Sequence, residues 1–160
     1  MRESEYPIAF AAAADYTRES LVPALEQVVR QSGFAPDQVA GRTVLLKPNL
    51  LMKRRPEEAT TTHPLVVEAA ARLLLDWGAA RVTIADSPGG PYTKPLLHGI
   101  YETCGMTEAA RQSGAALNED TGFTTLRREE NRLVREFSII NPAGEALGLV
   151  FGGLVRALDE

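Results

Sequence analysis

The segment Lys47-Pro48-Asn49 carries side chains that suit an anionic ligand. It directly follows the apolar run TVLL at residues 43–46. Proline ends a strand because it lacks a backbone donor, lysine offers a point charge to a phosphate or carboxylate, and asparagine offers an amide donor and acceptor. We therefore predict that Asn49 binds a ligand and that Lys47 stabilises developing negative charge if chemistry occurs. The alternative is a simple turn in which Lys47 points into water.

A second polar segment follows the apolar run RVTIA and contains Asp86, Ser87, Gly89 and Gly90. An aspartate at a strand end suits a ribose hydroxyl or a metal ion, and glycines let backbone N–H groups approach a ligand closely. The order of the glycines matches neither the dinucleotide-binding nor the phosphate-loop pattern. These four residues are predicted to bind a ligand, with no metal ligands assigned. The alternative is a structural glycine turn.

The third segment is a possible helix start at Thr62-His63-Pro64, preceded by two more threonines. Proline suits the first helical position and keeps His63 out of the helical region, which places His63 near the N-cap. Free N–H groups at a helix start favour an anion. Thr62 is therefore a predicted ligand-binding residue and His63 a predicted proton-transfer residue. The alternative is a simple cap with a surface histidine.

The elements around these segments alternate between strand and helix patterns. The sequence predicts a strand over residues 7–14, a helix over 20–31, a strand over 43–46, a helix over 64–78 and a strand over 81–85. This order predicts crossover connections and a parallel sheet. The carboxyl ends of such strands lie at one edge, and ligands bind there where the strand order reverses. All three segments should therefore meet.

The remaining sequence predicts helices over residues 94–112 broken near Gly105, then a short strand over 115–118. The runs FTTLRREE and RLVREFSII predict an antiparallel hairpin around Asn131. The predicted fold class is therefore α/β, a Rossmann-like three-layer domain with a mainly parallel sheet and a C-terminal β-hairpin. One domain is expected over residues 1–160, with a divergent tail at 141–160.

Composition excludes several classes of protein. The chain has 160 residues, a net charge of −4 and a pI near 5.3, which argues against a nucleic-acid partner. No apolar run reaches the ~20 residues of a membrane helix, and the acidic, polar start is unlike a signal peptide. A single cysteine is typical of a protein in the reducing cytoplasm, and we predict that Cys104 is a small buried residue. A cytoplasmic protein without membrane contact is expected.

The runs VLLKPNLL, ATTTHPLVVEAAARLLLDWGA and VTIADSPGGP resemble the family called domain of unknown function 362, in the same order and over about residues 7–140. Its members are uncharacterised bacterial and archaeal proteins, often described as iron–sulfur binding because many have a ferredoxin-like cysteine-rich segment further along the chain. The resemblance implies no established reaction. The positions that match its motifs are Lys47, Asn49, Thr62, His63, Asp86, Ser87 and Gly89.

The sequence departs from that family pattern in two ways. It has no cysteine-rich segment, so no iron–sulfur cluster is expected within this chain. Its hairpin region leads into NPAGEALGLVFGGLVRALDE, where the family has another strand and a K-x-K-T-H motif. The chain is therefore expected to be a truncated or frameshifted member, or a short paralogue.

Two functional hypotheses follow, and the sequence leaves open whether the chain is an enzyme. In the first, the chain binds a small anionic ligand (phosphate, nucleotide or carboxylate) at the strand ends, as part of a redox-related enzyme. In the second, it is a non-catalytic module that docks onto a redox protein or a second copy of itself, which the apolar tail at residues 146–158 motivates. An inactive remnant that still folds is a further hypothesis, which the sequence does not separate from these two.

Overall fold

The computed structural model describes residues 8–127, 136–145 and 150–151. Its helices are α1 (Arg18–Gln31), α2 (Pro64–Asp76), α3 (Lys94–Thr103), α4 (Met106–Ser113) and α5 (Asn141–Glu145). Its strands are β1 (Thr43–Leu46), β2 (Arg81–Ile84), β3 (Ala116–Leu117), β4 (Phe123–Arg127), β5 (Glu136–Ile140) and β6 (Val150–Phe151). Short 3-10 turns lie at Pro36–Gln38 and Pro56–Glu58. The alternation from β1 to β3 confirms the predicted α/β class.

The main sheet is parallel, with the strand order β3-β2-β1-β6. β1 and β2 pair along their whole length, from Thr43 opposite Arg81 to Leu46 opposite Ile84. Helix α2 connects these two strands. On its other side β1 pairs with β6, the last strand in the described part of the chain. The strand order therefore reverses at β1, and Lys47 follows directly at its carboxyl end.

The helices cover one face of β1 and β2, and the other face is covered near the carboxyl ends, which explains why the runs TVLL and RVTIA are mostly apolar. One face packs into a cluster with the helices, and its strand members are Val44, Leu46, Val82 and Ile84. On the other face, Leu45 and Ala85 pack against Ile140 and Ala143. The hairpin and α5 therefore cover part of the second face, and a cavity of about 680 Å³ lies beside them along Thr43, Leu45 and Thr83. Parallel strands buried in this way hold their carboxyl ends in fixed positions.

The C-terminal hairpin is confirmed. β4 and β5 pair antiparallel from Phe123 opposite Ile140 to Arg127 opposite Glu136. The predicted turn around Asn131 lies outside the described residues, as does most of the apolar tail at 146–158. Helix α5 was not predicted. In the described part of the chain, no helix has the length and apolar character needed to cross a membrane.

The predicted first strand over residues 7–14 is wrong for the part that is described. Residues 8–14 form no strand, and Ile8 and Phe10 are 79% and 80% exposed. The run is rich in alanine, which buries little area, and β6 occupies the edge of β1 at Leu45 and Leu46. An apolar pattern without a partner strand does not make a strand.

Candidate functional site

The three predicted segments meet at the carboxyl ends of β1 and β2, and we call this region the strand-end site. Lys47 Nζ lies 2.7 Å from Asp86 Oδ1. The backbone N–H of Asn49 donates to Thr62 Oγ1 at 2.9 Å, and the N–H of Thr62 donates back to the carbonyl of Asn49 at 2.9 Å. The N–H of Gly89 donates to the Leu51 carbonyl at 3.0 Å. The loop after β1 therefore holds the other two segments.

Asp86 is a buried anchor within this site. Its side chain is only 4% exposed, and its second oxygen accepts the backbone N–H of Leu50 at 2.8 Å. Leu50 itself is fully buried. Both carboxylate oxygens are therefore engaged, one with Lys47 and one with the loop. Asp86 fixes the position of the lysine, and its direct contact with a ligand stays a prediction.

The strand-end site presents several polar groups to solvent. The Lys47 side chain is 47% exposed, and within the described residues Asp86 is its ionic partner. Asn49, Ser87 and Gly90, which belong to the same segments, are exposed. Gly90 has a φ of +99°, a conformation that side-chain-bearing residues rarely adopt, so the turn after β2 needs glycine there. An ammonium retains two N–H donors after meeting one carboxylate.

The start of α2 differs from the prediction in one respect. His63 is the N-cap, as predicted, and its Nδ1 accepts the N–H of Leu65 at 3.3 Å. The N–H of Val66 donates to the His63 carbonyl at 3.0 Å, and Pro64 has no N–H. The N–H groups that we expected to be free for an anion are therefore bonded within the chain. A ligand at this helix start would meet side chains instead.

The His63 ring borders a separate cavity of about 360 Å³, which we call the His63 cleft. It is lined by Tyr16, Pro56, Glu57, Ala59, Thr61 and His63. The rings of Tyr16 and His63 stack with centroids 4.0 Å apart. Because Nδ1 accepts a hydrogen bond, the neutral ring carries its proton on Nε2 and can donate. Burial lowers the pKa of His63, and the nearby Glu57 partly opposes this.

The lowered pKa of His63 predicts a pH-dependent stability. The unfolded chain binds this proton near the ordinary value of 6.5 and the folded chain binds it at lower pH. The stability contributed by neutral His63 is therefore fully present above that value and is lost as the pH falls toward the folded pKa. His63→Asn keeps a capping acceptor without a titrating ring. Its melting temperature should fall less than that of the wild type between about pH 7.5 and about pH 5.5.

The comparison isolates His63 because the chain's other histidine, His98, is present in both proteins. Equal changes in melting temperature over this pH range would contradict the prediction. They would mean that protonation of His63 is not coupled to unfolding.

One polar cluster was missed by the sequence analysis. Asn118 directly follows β3 and is 5% exposed, and its amide donates to Tyr92 Oη at 3.1 Å and to the Asp120 carbonyl at 2.8 Å. Asp120 Oδ2 in turn accepts from Asn141 Nδ2 at 2.8 Å. The cluster ties the hairpin to the sheet edge. The rule that selected Lys47, a polar residue directly after a strand, would have selected Asn118 as well.

The surroundings of Cys104 indicate a structural role. Cys104 is fully buried, as predicted, and its thiol faces the Met52 carbonyl at 3.5 Å. Within the described ranges, no group of three or more His, Cys, Asp and Glu side chains is placed to hold a metal ion.

A family model described as "Domain of unknown function (DUF362)" matches residues 44–150. The match covers more than half of the chain and includes all eight candidate site residues, from Lys47 to Gly90. It begins after the predicted start at residue 7 and extends into the segment that we expected to diverge. Neither the curated proteins nor the solved structures include a significant match to this chain.

Proposed function

Because the chain belongs to the DUF362 family, which has no assigned reaction, we propose its function from the strand-end site itself. The chain binds a small anionic ligand, a phosphate or a carboxylate, at the carboxyl ends of β1 and β2. One observation carries the proposal. The Lys47 ammonium is held 2.7 Å from a buried carboxylate while the lysine side chain stays 47% exposed.

The buried partner positions Lys47 before a ligand arrives. A free lysine side chain carries about 2 kcal/mol of conformational entropy, part of which it loses on binding. Asp86 is itself fixed by Leu50, so Lys47 has already lost much of this freedom. Preorganisation of this kind increases affinity because less entropy remains to be lost.

Asp86 weakens the attraction between Lys47 and an anion but does not cancel it. At an effective dielectric constant of about 20, an anion about 2.8 Å from the ammonium gains about 6 kcal/mol, and repulsion from Asp86 at about 5.5 Å removes about 3 kcal/mol. The remainder favours an anion that approaches from the solvent side. The exposed Asn49 and Ser87 side chains add neutral donors there.

The topology supports the same location. Ligands of open α/β sheets bind outside the carboxyl ends of the strands, where the strand order reverses. β1 lies between β2 and β6, and Lys47 follows it directly. If the site is also catalytic, His63 Nε2 is the candidate for proton transfer, since Nδ1 caps the helix.

The single cysteine favours a reducing, cytoplasmic setting.

The test is calorimetric titration of the full chain with inorganic phosphate and with acetate at constant ionic strength. Lys47→Met keeps the length and bulk of the side chain and removes the charge. It should weaken phosphate binding by about 10- to 100-fold, since a hydrogen bond to a charged group contributes about 1.5–3 kcal/mol. The matched control is Lys53→Met, six residues along the same loop, which should bind as the wild type does.

A second variant covers the case in which Lys47→Met unfolds. Asn49→Asp places a negative charge at the exposed edge and leaves the backbone bonds to Thr62 in place. It should also weaken phosphate binding. Wild-type affinity for phosphate in a folded Lys47→Met protein, or in Asn49→Asp, would overturn the proposal. The proposal would also fail if the wild type bound neither phosphate nor acetate.

A second candidate function, docking onto a redox protein or another copy of this chain, is supported by exposed apolar side chains. Leu51 and Met52 are 47% and 51% exposed beside the strand-end site, and Ile8 and Phe10 are more exposed still. Scattered apolar residues are common on protein surfaces, so this support is weaker. Failure of both anion titrations would favour docking.

A further inference from the structure

The His63 cleft lies next to the strand-end site, and the proposed anion contact does not use it. The two are joined by Thr62, whose neighbours Thr61 and His63 line the cleft and which makes two hydrogen bonds to Asn49. Lys47 and Asn49 are two residues apart, and Thr62 is adjacent to His63. Together, the two chain segments and the Asn49–Thr62 contact limit the distance between the backbones of Lys47 and His63 to about 16 Å. Within that distance, the Lys47 ammonium lies against Asp86 and the His63 ring lies against Tyr16.

The walls of the cleft suit a planar nitrogen heterocycle. Tyr16 is 57% exposed and one face of its ring is covered by His63, so the other face is the flat aromatic surface that is left for a ligand. Bases stack on such rings whatever their sequence because every base has a π face. The volume of about 360 Å³ is at the lower end of the range for small-molecule pockets. A simple inorganic anion would leave this cleft empty.

The polar groups of the cleft have opposite hydrogen-bonding characters. The Glu57 carboxylate only accepts, and His63 Nε2 donates when the ring is neutral. An amino-bearing base presents an N–H donor beside a ring nitrogen acceptor, which matches this pair. Thr61 Oγ1, in the same wall, is buried and has no hydrogen-bond partner within the described residues. Because this oxygen is closed off from solvent, it can reach a ligand in the cleft only after the Thr61 side chain rotates.

We infer that the anionic ligand is a nucleoside monophosphate with an amino-bearing base. Its phosphate meets Lys47, and its base enters the His63 cleft between Tyr16 and Glu57. This inference rests on the proposed function, because it assigns a substrate class to the same strand-end site. It extends that function to a second cavity that the anion alone does not need.

The test is calorimetry of the full chain with adenosine monophosphate, adenosine and ribose 5-phosphate. Adenosine monophosphate should bind at least about tenfold more tightly than ribose 5-phosphate, because the base adds stacking and hydrogen bonds. Glu57→Gln and Thr61→Val should each lower the affinity for adenosine monophosphate by about threefold to tenfold. Both should leave ribose 5-phosphate unchanged, whereas Lys47→Met should weaken both phosphate compounds.

The outcomes separate the two proposals. If ribose 5-phosphate binds through Lys47 and adenosine monophosphate binds no more tightly, the inference fails and the proposed function stands. If adenosine binds through Glu57 but neither phosphate compound depends on Lys47, the proposed function fails, and the inference of a single two-part ligand fails with it. Thr61→Val is expected to fold as the wild type does, since it removes only an unpaired hydroxyl from a side chain of the same shape.

Discussion

Asp86→Ala is expected to lower the free energy of unfolding by about 3 kcal/mol, the largest effect of any site residue. The substitution leaves the Leu50 N–H without an acceptor in a fully buried position, which costs about 1–3 kcal/mol. It also removes the carboxylate that faces Lys47. The lysine is half-exposed and can turn to water, so the full cost of breaking a buried pair is not reached. At this chain length the melting temperature should fall by about 6–12 °C.

Asp86→Asn is the matched control for this prediction. It keeps an oxygen that can accept from Leu50 and replaces the oxygen facing Lys47 with an NH2 group that cannot accept, so it should cost about 1–2 kcal/mol. Denaturant unfolding of the two variants separates the hydrogen bond to the loop from the ion pair. A change within ±0.5 kcal/mol for Asp86→Ala would have the size of an ordinary surface substitution. That result would mean that Asp86 does not hold the loop after β1.

The elements that the sequence predicted well are those whose signals are local. β1 was predicted at its observed bounds, and α2 and β2 within two residues, because buried parallel strands read as unbroken apolar runs and because proline and glycine mark the helix ends. Residues 8–14 have the same local apolar character and form no strand. A strand requires a partner strand elsewhere in the chain, and the local sequence pattern does not show whether that partner is present.

The same distinction applies to the site. Topology was enough to predict that Lys47, His63 and Asp86 lie at one edge, since Lys47 and Asp86 come after strands of the sheet and His63 begins the helix that connects those strands. The partners of these side chains depend on how the loops fold over that edge. Asp86 is buried against Leu50 and Lys47, contacts that the sequence pattern did not show, and its binding of a ligand stays a prediction. Tyr16, which stacks on His63, had no motif to mark it.

Gly105→Ala is the second large prediction, with an expected cost of about 2–3 kcal/mol. Gly105 joins α3 to α4 with a φ of +75°, which costs an alanine about 1 kcal/mol. A Cβ there would also lie 3.0 Å from Cγ and 3.1 Å from Cβ of Pro64. Pro64 opens α2 directly after His63, and its ring and backbone have little freedom to move away. The free energy of unfolding, measured with urea, checks the cost.

Gly114→Ala is the matched control, because it isolates the backbone cost from the contact. Gly114 has a φ of +85°, but the nearest atom to an added Cβ is Leu75 Cδ1 at 3.7 Å, an ordinary contact with the end of a flexible side chain. This variant should cost only about 1 kcal/mol. An excess cost for Gly105→Ala therefore measures how firmly the α3–α4 junction supports the start of α2. Equal losses of unfolding free energy in the two variants would contradict this prediction, because they would mean that Pro64 can move away from the added Cβ. The position of His63 beside Tyr16 would then have to depend on other contacts.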